Sequence, residues 1–137
     1  MKLKINTIGP SAKEFVQLRA DVGWGDTDLS MATMSLEQSL FHVTARMDSQ
    51  LVGMGRVIGD CALFFYIQEL AVHPNYQQTG IGGMLMVQIE SWLCDNAPKG
   101  ATISLMSARG KESFYRRYGY DLRTGMPLGY GMCKLIE

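Results

Sequence analysis

The chain has 137 residues, 47% of them hydrophobic and 19% charged, a length and composition that fit one folded domain, are too small for two, and exclude a disordered chain. Thirteen basic side chains balance thirteen acidic ones, so no global field draws the protein to nucleic acid or to an acidic membrane surface. Cys61, Cys94 and Cys133 are odd in number and far apart, with no Cys-x-x-Cys pair; they read as reduced thiols of a cytoplasmic protein and not as a metal site.

The first residues, Met1 to Asn6, lack the apolar core of a signal peptide, and no later run approaches the length that spans a bilayer. Leu3 and Ile5 alternate with Lys2, Lys4 and Asn6, the period of a half-buried strand, and Gly9-Pro10 stops it. Ser11 and Glu14 have the spacing of a capping box, and Phe15, Leu18 and Val22 share one face of a helix predicted to end near Gly23. Gly23-Trp24-Gly25-Asp26-Thr27-Asp28 combines an aromatic ring, two glycines and two carboxylates. Such a loop either covers a binding site or is a turn anchored by a packed tryptophan. Leu36, Leu40 and Phe41 predict a short helix after Ser35. His42 to Met47, the turn Asp48-Ser49-Gln50 and the run Leu51 to Ile58 predict an antiparallel hairpin.

Leu63 to Val72 is the most strand-like run, a central strand whose only polar interruptions are Gln68 and Glu69. It feeds the glycine-rich stretch Val72 to Gly83, after which Ile81, Met84, Leu85, Ile89, Trp92 and Leu93 recur at helical spacing until Pro98. A helix N-terminus preceded by glycines suits a phosphate, because free amides and the helix dipole favour an anion and glycines admit it closely. The stretch lacks the lysine of a Walker loop and the third glycine of a dinucleotide fold, and on its residues alone a plain glycine-rich connection remains the alternative. Thr102 to Met106 predicts another buried strand, and Lys111 to Tyr118 a short helix stopped by Gly119. Tyr120 to Arg123 and Tyr130 to Ile136 predict closing strands, joined through Gly125-Met126-Pro127.

Gln77-Gln78-Thr79-Gly80-Ile81-Gly82 resembles the Gln/Arg-x-x-Gly-x-Gly/Ala signature of the GNAT superfamily of N-acetyltransferases, whose loop holds the diphosphate of acetyl-coenzyme A. Phe114-Tyr115-Arg116-Arg117-Tyr118-Gly119-Tyr120 is similar to the Phe-Tyr-x-x-x-Gly-Phe segment near the C-terminus of the same family. Leu51-Val52-Gly53 looks like its third strand, and Leu70-Ala71-Val72-His73-Pro74 like the end of its fourth. The resemblance implies an α/β (α+β) fold with a mixed, largely antiparallel central sheet flanked by helices, strands four and five splayed apart with coenzyme A between them. It further implies that backbone groups of Leu70, Ala71 and Val72 pair with the acetyl and pantetheine as with an added strand. Gln77, Gln78, Thr79, Gly80, Ile81, Gly82 and Gly83 would form the diphosphate loop, Gly80 and Gly82 for close approach and Ile81 as its anchor in the core. One departure is Ala108, where many members carry an asparagine that contacts the pantetheine arm.

Acetyl transfer to an amine needs a neutral nucleophile, a donor for the developing oxyanion and a proton for the leaving thiolate. The resemblance puts Tyr115 near the sulfur as general acid, protonated at neutral pH with an ordinary pKa of about 10; the alternative is a packed ring whose hydroxyl binds sulfur without giving up its proton. An amide near Leu70 to Val72 would face the oxyanion. Glu69 is the first candidate for general base, ahead of Asp26, Asp28 and His42, with a water relay as the other route. His73, before Pro74, reads as a turn residue. The resulting expectation is an acetyl-coenzyme A-dependent N-acetyltransferase acting on the primary amine of a small molecule, with Trp24 in the acceptor site. It uses no metal and has no nucleic-acid or membrane partner; a homodimer is allowed, with no interface identified. The competing readings are a protein or peptide N-acetyltransferase and an acyl-coenzyme A sensor without turnover.

Overall fold

The computed structural model describes residues 2–137, which divide into two compact units, one ending at Leu105 and the other beginning at Met106. In the first, chain order is β1 (Leu3–Asn6), α1 (Ala12–Asp21), α2 (Leu29–Glu37), β2 (Phe41–Met47), β3 (Gln50–Gly59), β4 (Phe64–Val72), a single 3-10 turn (Pro74–Tyr76), α3 (Ile81–Asn96) and β5 (Thr102–Leu105). The strands form one sheet in the order β1-β2-β3-β4-β5, antiparallel through β4 and parallel between β4 and β5. This is the mixed, largely antiparallel sheet that the family resemblance implies.

Local chemistry sets the helix starts. Ser11 Oγ accepts from the Glu14 N–H at 3.1 Å, Glu14 Oε1 accepts from the Ser11 N–H at 3.0 Å, and this capping box opens α1 as its spacing predicts. The helix predicted after Ser35 is misplaced: α2 runs from Leu29 to Glu37, begun by Asp28, whose carboxylate accepts from the Met31 N–H at 2.9 Å. Leu36 lies at its end, whereas Phe41 already belongs to β2, so the apparent periodicity spanned two elements. At the hairpin between β2 and β3, Asp48 and Ser49 both take positive φ, as tight two-residue turns require.

Helices cover both faces of the sheet. On one, Phe15 and Leu18 of α1 and Ala32 of α2 join Leu51, Met54 and Ala71 in a buried cluster. On the other, α3 buries Ile81, Leu85, Met86, Ile89 and Leu93, each worth about 1.5–3 kcal/mol when fully removed from water. Gly53 and Gly55 of β3 let α3 lie close: a Cβ at Gly53 would stand 3.1 Å from Leu85 Cδ1, and one at Gly55 3.0 Å from Ile89 Cδ1.

The second unit contains one short helix, α4 (Glu112–Arg116), inside the segment predicted as helical. The Phe114 ring stands edge-on to Tyr115 and packs beside Tyr118, with the Arg117 guanidinium over it. The predicted strands Tyr120 to Arg123 and Tyr130 to Ile136 are not formed. Alternation describes a segment able to join a sheet, but a strand forms only where another strand lies alongside to complete its ladder. Among the described residues no helix is long and apolar enough to cross a membrane.

Candidate functional site

The site begins with a fault in the β3–β4 ladder. Met54 pairs with Ala71 but Arg56 pairs with Gln68, so Glu69 and Leu70 together oppose the single residue Gly55. This is a β-bulge, and Glu69 sits in it with φ of 60°, a conformation that favours glycine. The extra residue resets the alternation. Phe65, edge-on to Trp92, and Leu70, near Gly55 and Ile89, face α3; Glu69 instead turns to the opposite face with Ala71. Strict alternation from Phe65 would have aimed the carboxylate at the apolar stripe of α3.

On that opposite face Glu69 meets two cations. Arg19 of α1 donates Nη1–H to Oε2, and Arg56 Nη2 of β3 stands 3.7 Å from Oε1, which the Gln68 amide approaches at 3.4 Å. Arg56 is only 5% exposed and is held by donation to Ser35 O, Ser35 Oγ and Ser39 Oγ at 2.8–2.9 Å. Burial pulls its pKa below the usual arginine range, with Glu69 acting against the shift, and its buried Nε has no partner among the described residues. Arg19 also donates Nε–H to Thr27 Oγ1 at 3.0 Å, and its guanidinium lies over the rings of Phe15 and Trp24. Trp24 is therefore both packed against the α1–α2 cluster and joined through Arg19 to Glu69.

The end of β4 differs in kind. Parallel pairing to β5 stops at Ile67 opposite Leu105, while β4 continues to Val72, so among the described residues positions 68–72, which include Leu70, Ala71 and Val72, have a strand neighbour on the β3 side only. Beyond Val72 the loop is shaped by its own side chains. His73 Nδ1 accepts from the Asn75 N–H at 3.1 Å, which fits its reading as a turn residue; Gln77 Nε2 donates back to Val72 O at 2.9 Å, and Thr79 Oγ1 to Tyr76 O at 2.5 Å. Gln78 and Gly80 take positive φ, and Gly80 caps α3 with no side-chain hydrogen bond to its first turn. The leading amides of a 16-residue helix, at Ile81, Gly82 and Gly83, thus have no side chain from their own cap, and they carry the positive end of its dipole. Ile81 is buried, as an anchor must be.

The remaining candidates separate. Asp28 is taken up as the cap of α2, where hydrogen bonds from Ser30 and the Met31 amide lower its pKa. Asp26 is exposed in the loop. His42 lies in β2 with its ring against Gly9 and Nε2 3.3 Å from Leu36 O, and burial lowers its pKa. Tyr115, on α4 of the second unit, is buried, and that burial raises its pKa above the ordinary tyrosine value. Ala108 is exposed and its carbonyl accepts from Ser107 Oγ and the Lys111 N–H. Sequence reasoning missed Arg19 and Arg56 altogether; the one signal for their cluster was the polar pair Gln68-Glu69 breaking an apolar strand.

The sequence profile of the acetyltransferase (GNAT) domain matches residues 25–126. Among curated proteins, the uncharacterized N-acetyltransferase ycf52 of Porphyra purpurea is 29% identical over 119 residues, covering 84% of this chain and 67% of its own length. A ycf52-like N-acetyltransferase of Prochlorococcus marinus is 30% identical over 113 residues, covering 80% and 62%. This chain thus spans between 62% and 67% of the length of these two relatives. Among solved structures, a Staphylococcus aureus protein described as a probable acetyltransferase superposes with a TM-score of 0.90 at 27% identity, over 98% of this chain and 100% of that one. A GNAT family acetyltransferase of Streptococcus pneumoniae superposes with a TM-score of 0.78 at 26% identity, over 98% of each.

Proposed function

The chain belongs to the acetyltransferase (GNAT) family, and on that premise we propose that it transfers the acetyl group of acetyl-coenzyme A to the primary amine of a small molecule, in the cytoplasm, by direct attack on the thioester. The observation that carries this reading is the continuity from the one-sided edge of β4 at residues 68–72 to the uncapped N-terminus of α3. Such an edge takes an extended pantetheine arm as an added strand. Amides from Gln78 through Gly83 then hold the diphosphate with the helix dipole behind them.

In this reading the amine nitrogen attacks the thioester carbonyl carbon, the N–C bond forms, and the C–S bond breaks. An amide among Leu70 to Val72 donates to the oxyanion. Tyr115, protonated at neutral pH and with its pKa raised further by burial, gives its proton to the departing sulfur. Glu69 takes the proton of the amine through water at Oε1, the oxygen with the longer contacts, while Oε2 stays on Arg19. Trp24, with Arg19 over its ring, lines the acceptor side.

The test is release of free thiol when purified protein is incubated with acetyl-coenzyme A and a pool of small primary amines, with a pool of peptides as the second arm. Release that depends on a small amine supports the proposal. Release with peptides alone overturns the acceptor class, and saturable cofactor binding without release in either arm overturns the transfer reaction.

A further inference from the structure

We propose that the acceptor is an amino acid, its carboxylate held by Arg19 while its amine faces Glu69, an inference that rests on the transfer reading above and narrows it to a substrate class. The charges at the β4 bulge do not balance. Glu69 is the only carboxylate among the described residues that pairs with Arg19 or Arg56, so two guanidinium groups share one counter-charge. Asp21 and Asp28, on either side of Trp24 in the chain, are engaged elsewhere: Asp21 accepts from the Gln17 amide at 2.8 Å and faces His73, and Asp28 caps α2. Arg56 and Glu69 are both buried, where a surplus charge is costly unless an anion meets it. The attacking amine must be neutral, whereas a carboxylate beside it stays ionised. The reacting form of an amino acid therefore carries one negative charge and completes the balance.

Arg19 is the group placed to bind that carboxylate. It gives Nη1–H to Glu69 Oε2 and Nε–H to Thr27 Oγ1 at 3.0 Å, and neither bond uses Nη2. Its side chain is 23% exposed, against 6% for Arg56, so of the two guanidinium groups it is the one a ligand can reach. It is also fixed before a ligand arrives, by those two bonds and by the rings of Phe15 and Trp24, whose centroids lie 5.9 and 5.6 Å from Cζ. A guanidinium held in this way offers its planar donors to a carboxylate with little further loss of side-chain freedom. Glu69 and Arg19, joined at Oε2, stand side by side as the complement of an amine and a carboxylate carried by one small molecule.

The test follows free-thiol release from acetyl-coenzyme A with a set of amino acids, their amides and the corresponding decarboxylated amines as acceptors. For the best amino acid, kcat/KM should exceed that of its amide and of its decarboxylated amine by about 10- to 100-fold, the worth of a hydrogen bond between charged groups. Arg19→Gln should bring that ratio close to one; any damage to Glu69 or to folding lowers turnover of all three acceptors and leaves the ratio alone. Thr27→Val, which removes only the Nε–H anchor, should lower the ratio in the same direction by less. Amides or decarboxylated amines used as well as amino acids would overturn the acceptor class and leave transfer to small amines standing. A preference for amino acids that survives both variants unchanged overturns the role of Arg19, and absence of release from every amine overturns the transfer reading and this class with it.

Discussion

The two ends of the β4 bulge make an instructive pair. Toward α3, the free edge at residues 68–72 and the first turn of the helix offer backbone groups, and the nearby side chains of Gln77 and Thr79 are occupied in fixing the loop. Toward α1, the bulge presents one carboxylate to two guanidinium groups, an arrangement that rests on side chains from three elements. A backbone site depends on where the chain runs and tolerates most side chains. A charge cluster depends on each partner.

Tyr115 belongs to neither region, and it separates holding from chemistry. Tyr115→Phe should lower turnover by about 10²- to 10⁴-fold, with acetyl-coenzyme A affinity nearly unchanged. Because burial raises the tyrosine pKa, wild-type activity should persist to pH above the ordinary tyrosine range and fall beyond it; the variant should lack that alkaline limb. Steady-state kinetics against pH checks both.

The charge cluster should fail through its partners. Glu69→Ala leaves Arg56 buried without its counter-charge and should destabilise the fold by about 3–5 kcal/mol in denaturant unfolding. Cofactor affinity of the folded fraction should stay within about twofold if the two regions act independently. An equal loss of both would merge them.

The backbone region should fail through bulk and charge. Saturating acetyl-coenzyme A, at a hundredfold excess over its dissociation constant, should stabilise the wild-type chain by about 2.7 kcal/mol, visible as a rise in melting temperature. Gly82→Glu, which puts a carboxylate at the positive end of α3, should remove the rise while the protein remains folded. A variant that still shows the full rise would mean that the cofactor does not meet this turn.

The smallest effect lies outside both regions. The Arg46 guanidinium holds the Glu14 carboxyl at about 2, well below its usual 4.5. A lowered folded pKa means stability that is present above the usual value and lost as pH falls toward 2. Since the pair is partly exposed, Glu14→Gln should cost no more than about 1 kcal/mol at neutral pH and flatten the acid limb of the unfolding curve.

How much of this was legible follows from the same contrast. The glycine turn is written locally: a strand, two glycines and a helical period lie within some twenty residues, so a motif marks it. Arg19 and Glu69 meet across fifty positions, and a one-residue bulge decides which face Glu69 takes. Neither leaves a periodic trace. The start of α2 is set by its cap, Asp28, in a loop of glycines, aspartates and a tryptophan that carries no helical period, and the alternation of the two C-terminal segments does not say where a partner strand lies.

The central claim, that backbone amides of the β4–α3 junction receive the cofactor, is tested most directly by amide chemical-shift mapping during a titration with coenzyme A. The largest shifts should fall on residues 70–72 and 78–84, with little change at Arg56 or in α2. Shifts confined to α1, α2 and the Arg19–Glu69 face, with Gly80 to Gly83 unmoved, would contradict it.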